Sequence, residues 1–418
     1  MAGVRIVRGR SIAREVAKLA NRRLLFSAET ERAVARILKD VRKNGDSALC
    51  RYAKKWDGLA AKQSLRVSED ELAAALASIP ANLRHALETA AHNIRKFAEW
   101  QKPQEFTKDM QPGLSVGQIV RPIDSVGCYV PGGRYPLPSS LLMTVIPAQV
   151  AGVERIVVCS PKPAAETLAA AALLGATEFY RIGGAQAIAA FAYGTKSISP
   201  VVKIVGPGNR FVTTAKKLVS FDCAIDMLAG PTEAIVVAED GEPAFWASDL
   251  VAQAEHDPDT SVVFVTSNAM LAKEVADELK SRAATNKIAR QSFSRNGVIF
   301  VTDSAAQSIE VANAIASEHI TLSRDQLASL TSAGSIFLGP YSPQSLGDYA
   351  AGPNHVLPTG GVARYRAGLS VMDYLKIITV QEVSREALVR IAPIVTTLAE
   401  AEGLSAHAES VRVRCARA

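Results

Sequence analysis

An α/β protein built on two mostly parallel sheets is what this sequence predicts, and three features predict it. From Arg155 onward, short β-branched runs alternate with Ala-rich helical segments; Gly or Pro marks most junctions; and a second alternating set follows the first. At 418 residues, 48% of them hydrophobic, the chain is long enough for two or three packed cores.

The first hundred residues read as helices. The clearest opens at Ser68-Glu-Asp-Glu71, a capping box followed by Leu72, Leu76 and Ile79 at helical spacing before Pro80. Strands are then expected at 156–158, 179–182 and 201–205, separated by helices through Thr167 and Leu174 and through Ala190. The second set places strands at 234–237, 262–265, 298–301 and 336–338, with helices around 244–255 and 308–316. From Ser370 the alternation gives way to a helix-rich tail, 386–402, ending in the strand-like Val411-Arg-Val-Arg414. No repeat of solenoid period is visible.

Composition narrows the function. The net charge of +6 is spread among nearly as many acids as bases, which argues against nucleic acid and for solvated faces. The opening Met-Ala-Gly-Val-Arg-Ile-Val has no apolar signal core, and the apolar run 141–150 is interrupted by Pro147 and Gln149 well short of a membrane span. A cytoplasmic protein with no membrane partner is expected. Cys50, Cys128, Cys159, Cys223 and Cys415 are scattered without a Cys-x-x-Cys pair, so any metal should be held by His, Asp and Gln.

Four of the six histidines sit near acid or amide side chains, in Gln253-Ala-Glu-His256, Ser317-Glu-His319, Gly347-Asp-Tyr-Ala-Ala-Gly-Pro-Asn-His355 and Glu402-Gly-Leu-Ser-Ala-His407. Imidazole and carboxylate ligate a borderline divalent cation such as zinc, and a His beside a Glu can move protons near neutral pH. Gln253 and His256 are three apart near the end of a helix that Asp257-Pro258 should stop, so their side chains share a face. A surface pair has the same spacing. Glu318-His319 falls at a helix-to-strand junction, where it suits either an acid–base pair or a capping Glu with a structural His.

There are three Gly-containing loops, Cys128-Tyr-Val-Pro-Gly-Gly-Arg-Tyr135, Gly183-Gly-Ala-Gln186 and Ile204-Val-Gly-Pro-Gly-Asn-Arg210, the last two at the ends of expected strands. Converging at the carboxyl edge of one sheet, they would make a dinucleotide site, although Phe211 stands where the fingerprint's third glycine belongs. Simple turns are the alternative.

Together, these blocks and Ile225-Asp-Met-Leu-Ala-Gly-Pro-Thr-Glu, running in order from 128 to 407, resemble the histidinol dehydrogenase family. The resemblance implies a zinc-dependent homodimer that oxidises L-histidinol through L-histidinaldehyde to L-histidine with two NAD. It implies two Rossmann-like domains: 21–128 with 234–370, carrying the zinc and catalytic residues, and 129–233, carrying NAD contacts. Residues 1–20 would be an arm and 371–418 a dimer-swapped tail. Gln253, His256, Asp348 and, from the other subunit, His407 would hold zinc; Tyr129, Gln186 and Asn209 would contact NAD. Thr232, Gln253, His256, His319, Asp348, His355, Glu402 and His407 would surround the substrate. His319 would take the hydroxyl proton and Glu318 would activate water for the second oxidation. Two positions depart from the commonest pattern: Thr232 replaces Ser, and Arg366 introduces a cation that would suit an anionic alcohol such as sulfopropanediol. Glu402 favours the cationic histidinol.

Overall fold

The computed structural model describes residues 4–22, 27–132 and 135–416. In chain order its strands are β1 (Arg5–Arg8), β2 (Phe106–Gln111), β3 (Leu114–Pro122), β4 (Ser125–Tyr129), β5 (Arg155–Cys159), β6 (Glu178–Tyr180), β7 (Lys203–Val205), β8 (Ala224–Ile225), β9 (Glu233–Val237), β10 (Ser261–Thr266), β11 (Val298–Val301), β12 (His319–Leu322), β13 (Ser335–Leu338) and β14 (Leu375–Val383). Two compact units divide the chain: Met1–Gln101 with Asp124–Asp373, and Lys102–Ile123 with Tyr374–Ala418.

The first unit holds two parallel sheets, β6-β5-β4-β7-β8 and β1-β11-β10-β9-β12-β13. In each, the chain works outward through three strands and then returns to the other side of the starting strand, which is the doubly wound order. The order reverses between β4 and β7 in one sheet and between β9 and β12 in the other. Strands β4, β9 and β10 are buried at every residue, as expected where helices cover both faces.

Packing is tight enough to dictate residue size. Phe191, in the helix Gly184–Tyr193, is fully buried against the first sheet, and a Cβ on Gly127 of β4 would lie 2.5 Å from its ring. Gly127→Ala is therefore expected to cost about 1–3 kcal/mol through overpacking. A lowered urea midpoint at unchanged slope is the measurement; an unchanged midpoint would show that the ring can move aside. In the second sheet, Trp246, Leu250, Leu271 and Val275 form the core of one face, and Ile12, Ile309, Ala312 and Ile315 that of the other.

The second unit contains the antiparallel sheet β14-β3-β2, the helix Arg385–Ala401 and the helix Ser405–Ala416. Its buried hydrophobic residues, among those described, are Tyr374, Ala387, Ala399 and Ala408.

Three expectations need correction. The first hundred residues are not helical throughout, because Arg5–Arg8 adds an edge strand beside β11. The tail does not lose strand structure at 370, since the β-branched Ile377, Ile378, Thr379 and Val380 pair with β3. Val411–Arg414 is helical: a four-residue run without a neighbouring strand leaves its peptide groups unpaired, whereas the helix Ser405–Ala416 pairs them locally. Among the described residues no helix is long and apolar enough to cross a membrane.

Candidate active site

The segment 226–232 leaves the carboxyl edge of the first sheet after β8 and enters the amino edge of the second at β9. Chemistry-bearing side chains collect at both edges. At the second sheet's own carboxyl edge, the Glu239 carboxylate accepts hydrogen bonds from Ser267 N (2.7 Å) and the Ser308 hydroxyl (2.9 Å).

At the amino edge, Glu318 and His319 enter β12 beside β9, at the expected helix-to-strand junction after the helix Ala305–Ile315. Both are buried. The Glu233 N–H donates to Glu318 Oε2 at 2.9 Å, while the Glu233 carboxylate is paired at 2.6 Å with Arg22 and accepts from Gly360 N at 2.7 Å. Burial pushes the Glu318 carboxyl up to about 7, with His319 and the Glu233 N–H pulling against it. His319 lies between two carboxylates: Nδ1 is 3.9 Å from Glu318 Oε2 and Nε2 is 3.3 Å from Asp348 Oδ1. Burial opposes its protonation, yet Glu318 and then Asp348 raise its pKa above the usual imidazole range. Its ring stacks on Phe337, with centroids 6.0 Å apart.

Asp348, on the short helix Gln344–Tyr349, joins these groups to the others. Its Oδ2 accepts from Gln253 Nε2 at 3.0 Å, and its carbonyl is 2.7 Å from His355 Nδ1. Facing a carbonyl, Nδ1 must carry the proton, so His355 Nε2 accepts from the Ser140 hydroxyl at 3.2 Å. Burial lowers the His355 pKa and keeps it neutral. Although burial alone would raise the Asp348 pKa, His319 holds it below the usual carboxylate value. The helix carrying Gln253 stops at Ala254, so His256 stands past its end, its backbone N–H donating to the Gln253 carbonyl at 3.3 Å. Thr232 immediately precedes β9. Glu402 and His407 belong to the second unit, where both are exposed.

Among the described residues no three His, Cys, Asp or Glu side chains form a cluster that could hold a metal. The donor set expected from one chain contains an amide, and Gln253 Oε1 is buried without a hydrogen-bond partner. An oxygen so placed fits a cation beside the Asp348 carboxylate.

At the first sheet's carboxyl edge, Tyr129 ends β4 and its hydroxyl accepts from Gly184 N at 3.2 Å. Gln186 is buried and donates to Asp57 Oδ2 at 3.1 Å, which also accepts from Gly183 N at 3.1 Å. Asn209 Oδ1 caps the helix Arg210–Val219 through Phe211 N and Val212 N. A Cβ on Gly206 would lie 2.1 Å from the Tyr129 carbonyl, so the loops after β6 and β7 both close on Tyr129 at the point where strand order reverses. Gly133 and Arg134 of the first Gly-rich loop lie outside the described residues. Burial pushes the neighbouring Cys128 thiol up to about 12, which removes it as a nucleophile near neutral pH.

A family model described as histidinol dehydrogenase matches residues 20–415. The chain belongs to the histidinol dehydrogenase family. That makes it an enzyme of the oxidoreductase class. The histidinol dehydrogenase of Methanothermobacter thermautotrophicus is 45% identical over 96% of this chain and 97% of its own length. That of Vibrio parahaemolyticus is 46% identical over 91% of each. The crystal structure of histidinol dehydrogenase from Elizabethkingia anophelis superposes with a TM-score of 0.94 at 36% identity, covering 98% of both chains.

Several residues at these edges carry no sequence signal of their own. Glu233 meets Glu318 through its backbone N–H, which any non-proline residue supplies. Asp57 lies far in sequence from the glycines it holds and ends the helical stretch Ala28–Trp56, kinked at Gly45, where an acid reads as surface. Arg366, read as a cation toward substrate, is paired with Asp373 at 2.5 Å.

Proposed function

We propose that this enzyme oxidises L-histidinol to L-histidine through L-histidinaldehyde, in the cytoplasm, as the oxidising end of histidine biosynthesis. The observation that carries the proposal is His319, buried at the amino edge of the second sheet between the carboxylates of Glu318 and Asp348. The names of the relatives point to the same substrate. All five cysteines are free, in keeping with a reducing compartment.

Gln253, His256 and Asp348 would hold zinc, with His407 of the partner subunit as fourth ligand, and Tyr129, Gln186 and Asn209 would line the NAD site. When bound, zinc orients and polarises the amino alcohol, and NAD accepts hydride in each oxidation. The domain carrying the metal would be 21–128 with 234–370, and 129–233 would carry NAD. Homodimerisation is favoured by the second unit's exposed apolar side chains, among them Ile377, Ile378, Val389, Ile394 and Leu398.

The chain's own groups then account for the proton inventory. In the first half the alcohol loses a hydride and a proton; His319, whose partners favour its charged form, takes that proton. In the second half water adds to the aldehyde before another hydride leaves. A carboxyl tuned close to neutrality suits Glu318 to accept a proton from that water. Thr232, His355 and the partner's Glu402 would line the substrate. Arg366 is held by Asp373, which also pairs with Lys203, so its guanidinium is engaged within the protein.

Incubation of limiting histidinol with excess NAD is expected to release two NADH per substrate, at a rate abolished by a chelator and restored by zinc. Absence of turnover on histidinol would overturn the proposal.

A further inference from the structure

Beside the dinucleotide loop lies a buried ion pair that the mechanism above does not use. Lys216, in the helix Arg210–Val219, and Asp226, just after β8, are each 2% exposed and pair through Nζ and Oδ1. Their remaining hydrogen-bonding capacity converges on one residue of the Gly206-Pro-Gly-Asn209 loop. Asp226 Oδ2 accepts from Gly206 N at 2.7 Å, and Lys216 Nζ donates to Gly206 O at 3.0 Å.

Gly206 is thus gripped on both sides by opposite charges. It sits at φ +109°, with its Cα packed against the Tyr129 carbonyl, a conformation and a spacing that no side chain would tolerate. Fixing both flanking peptides sets the direction in which Gly208 and Asn209 leave the strand. The same ion pair reaches toward the catalytic edge. Asp226 Oδ1 also accepts from Met227 N at 2.5 Å, and Thr213 of the same helix donates to Ala229 O at 2.9 Å, so the segment 226–232 is tied to the helix that follows the loop.

A buried ion pair seldom improves stability over apolar side chains of similar volume. Its hydrogen bonds here are directed at a backbone that must approach a ligand closely. We propose that Lys216 and Asp226 are positioning residues for NAD, holding the Gly206–Asn209 backbone in the shape that receives the dinucleotide's pyrophosphate. The proposal rests on the assignment of NAD to the carboxyl edge of the first sheet.

The test compares Lys216→Met, Asp226→Asn and the apolar double variant Lys216→Met/Asp226→Leu with the parent enzyme, by NADH fluorescence titration, KM for NAD and for histidinol, and thermal unfolding. The double variant removes both charges together, so neither is left buried alone, but it withdraws the partners of Gly206 N, Gly206 O and Met227 N, and a lowered unfolding temperature is expected; all binding is read below that temperature, where circular dichroism shows the variant folded. It is expected to bind NADH about tenfold or more weakly, with the KM for histidinol within about twofold. Parent-like NADH affinity in the folded double variant overturns the proposal, as does an equal rise in both KM values. Asn209→Ala is measured alongside. If it weakens NADH binding while the double variant does not, the positioning role falls and the NAD assignment stands; if neither weakens it, both fall.

Discussion

Glu318→Gln is expected to leave oxidation of histidinol to the aldehyde within about threefold of the parent rate while slowing oxidation of the aldehyde by about 10²- to 10⁴-fold. The amide is nearly the same size and can still accept the hydrogen bond from Glu233 N, so the amino edge of the second sheet should keep its geometry. In the proposed mechanism, what is lost is a group able to take a proton from water, which only the second oxidation consumes. Stopped-flow measurement with limiting histidinol should show one fast equivalent of NADH followed by a slow second one. Added histidinaldehyde should be oxidised at the slow rate from the start. Equal slowing of both halves would sink the division of labour between Glu318 and His319, because it would mean that Glu318 chiefly orients the His319 ring from 3.9 Å away.

The second large effect concerns assembly. If the proposed site holds, His407→Ala alone and His319→Asn alone should each be almost inactive, one lacking the proposed metal ligand and the other the proposed proton acceptor. Mixed after reversible dissociation, they should regain activity. In a random mixture about half of the dimers are heterodimers, and each of these has one site with both defects and one with neither, so about a quarter of the parental site number returns. The mixture is assayed over time against each variant at the same total concentration. A mixture no more active than its components would rule out a site completed across the subunit boundary. Activity in the His407→Ala protein alone would remove that residue from the metal site.

Much of the fold was legible because buried parallel strands leave a blunt signal. The four strands expected in the second alternating set form β9, β10, β11 and β13, each within one residue at either end. The Glu318-His319 pair was placed at its junction for the same reason, a helix giving way to Ile320-Thr-Leu322. What escaped was structure whose signal is relational. The strand β14 is rich in β-branched residues but flanked by helical sequence, and its partner β3 lies more than two hundred residues earlier. The bonds from Asp57 to Gly183 and from Asp226 to Gly206 likewise depend on who meets whom. Asp57 lies outside every motif block, and Asp226 lies inside one with nothing in the sequence to say that it meets Gly206.

The composition of the second unit has a consequence for how the enzyme would fail. Its described buried hydrophobics are one tyrosine and three alanines, while many of its larger apolar side chains face outward. Burial of alanines releases little free energy, on the order of 0.8 kcal/mol per methyl-sized group, so such a unit gains most of its order from whatever covers it. If a second copy does so, order in the tail follows the law of mass action. Dilution would then inactivate the protein while both parallel sheets remained folded, and activity would decay with concentration along a binding curve unrelated to the melting temperature.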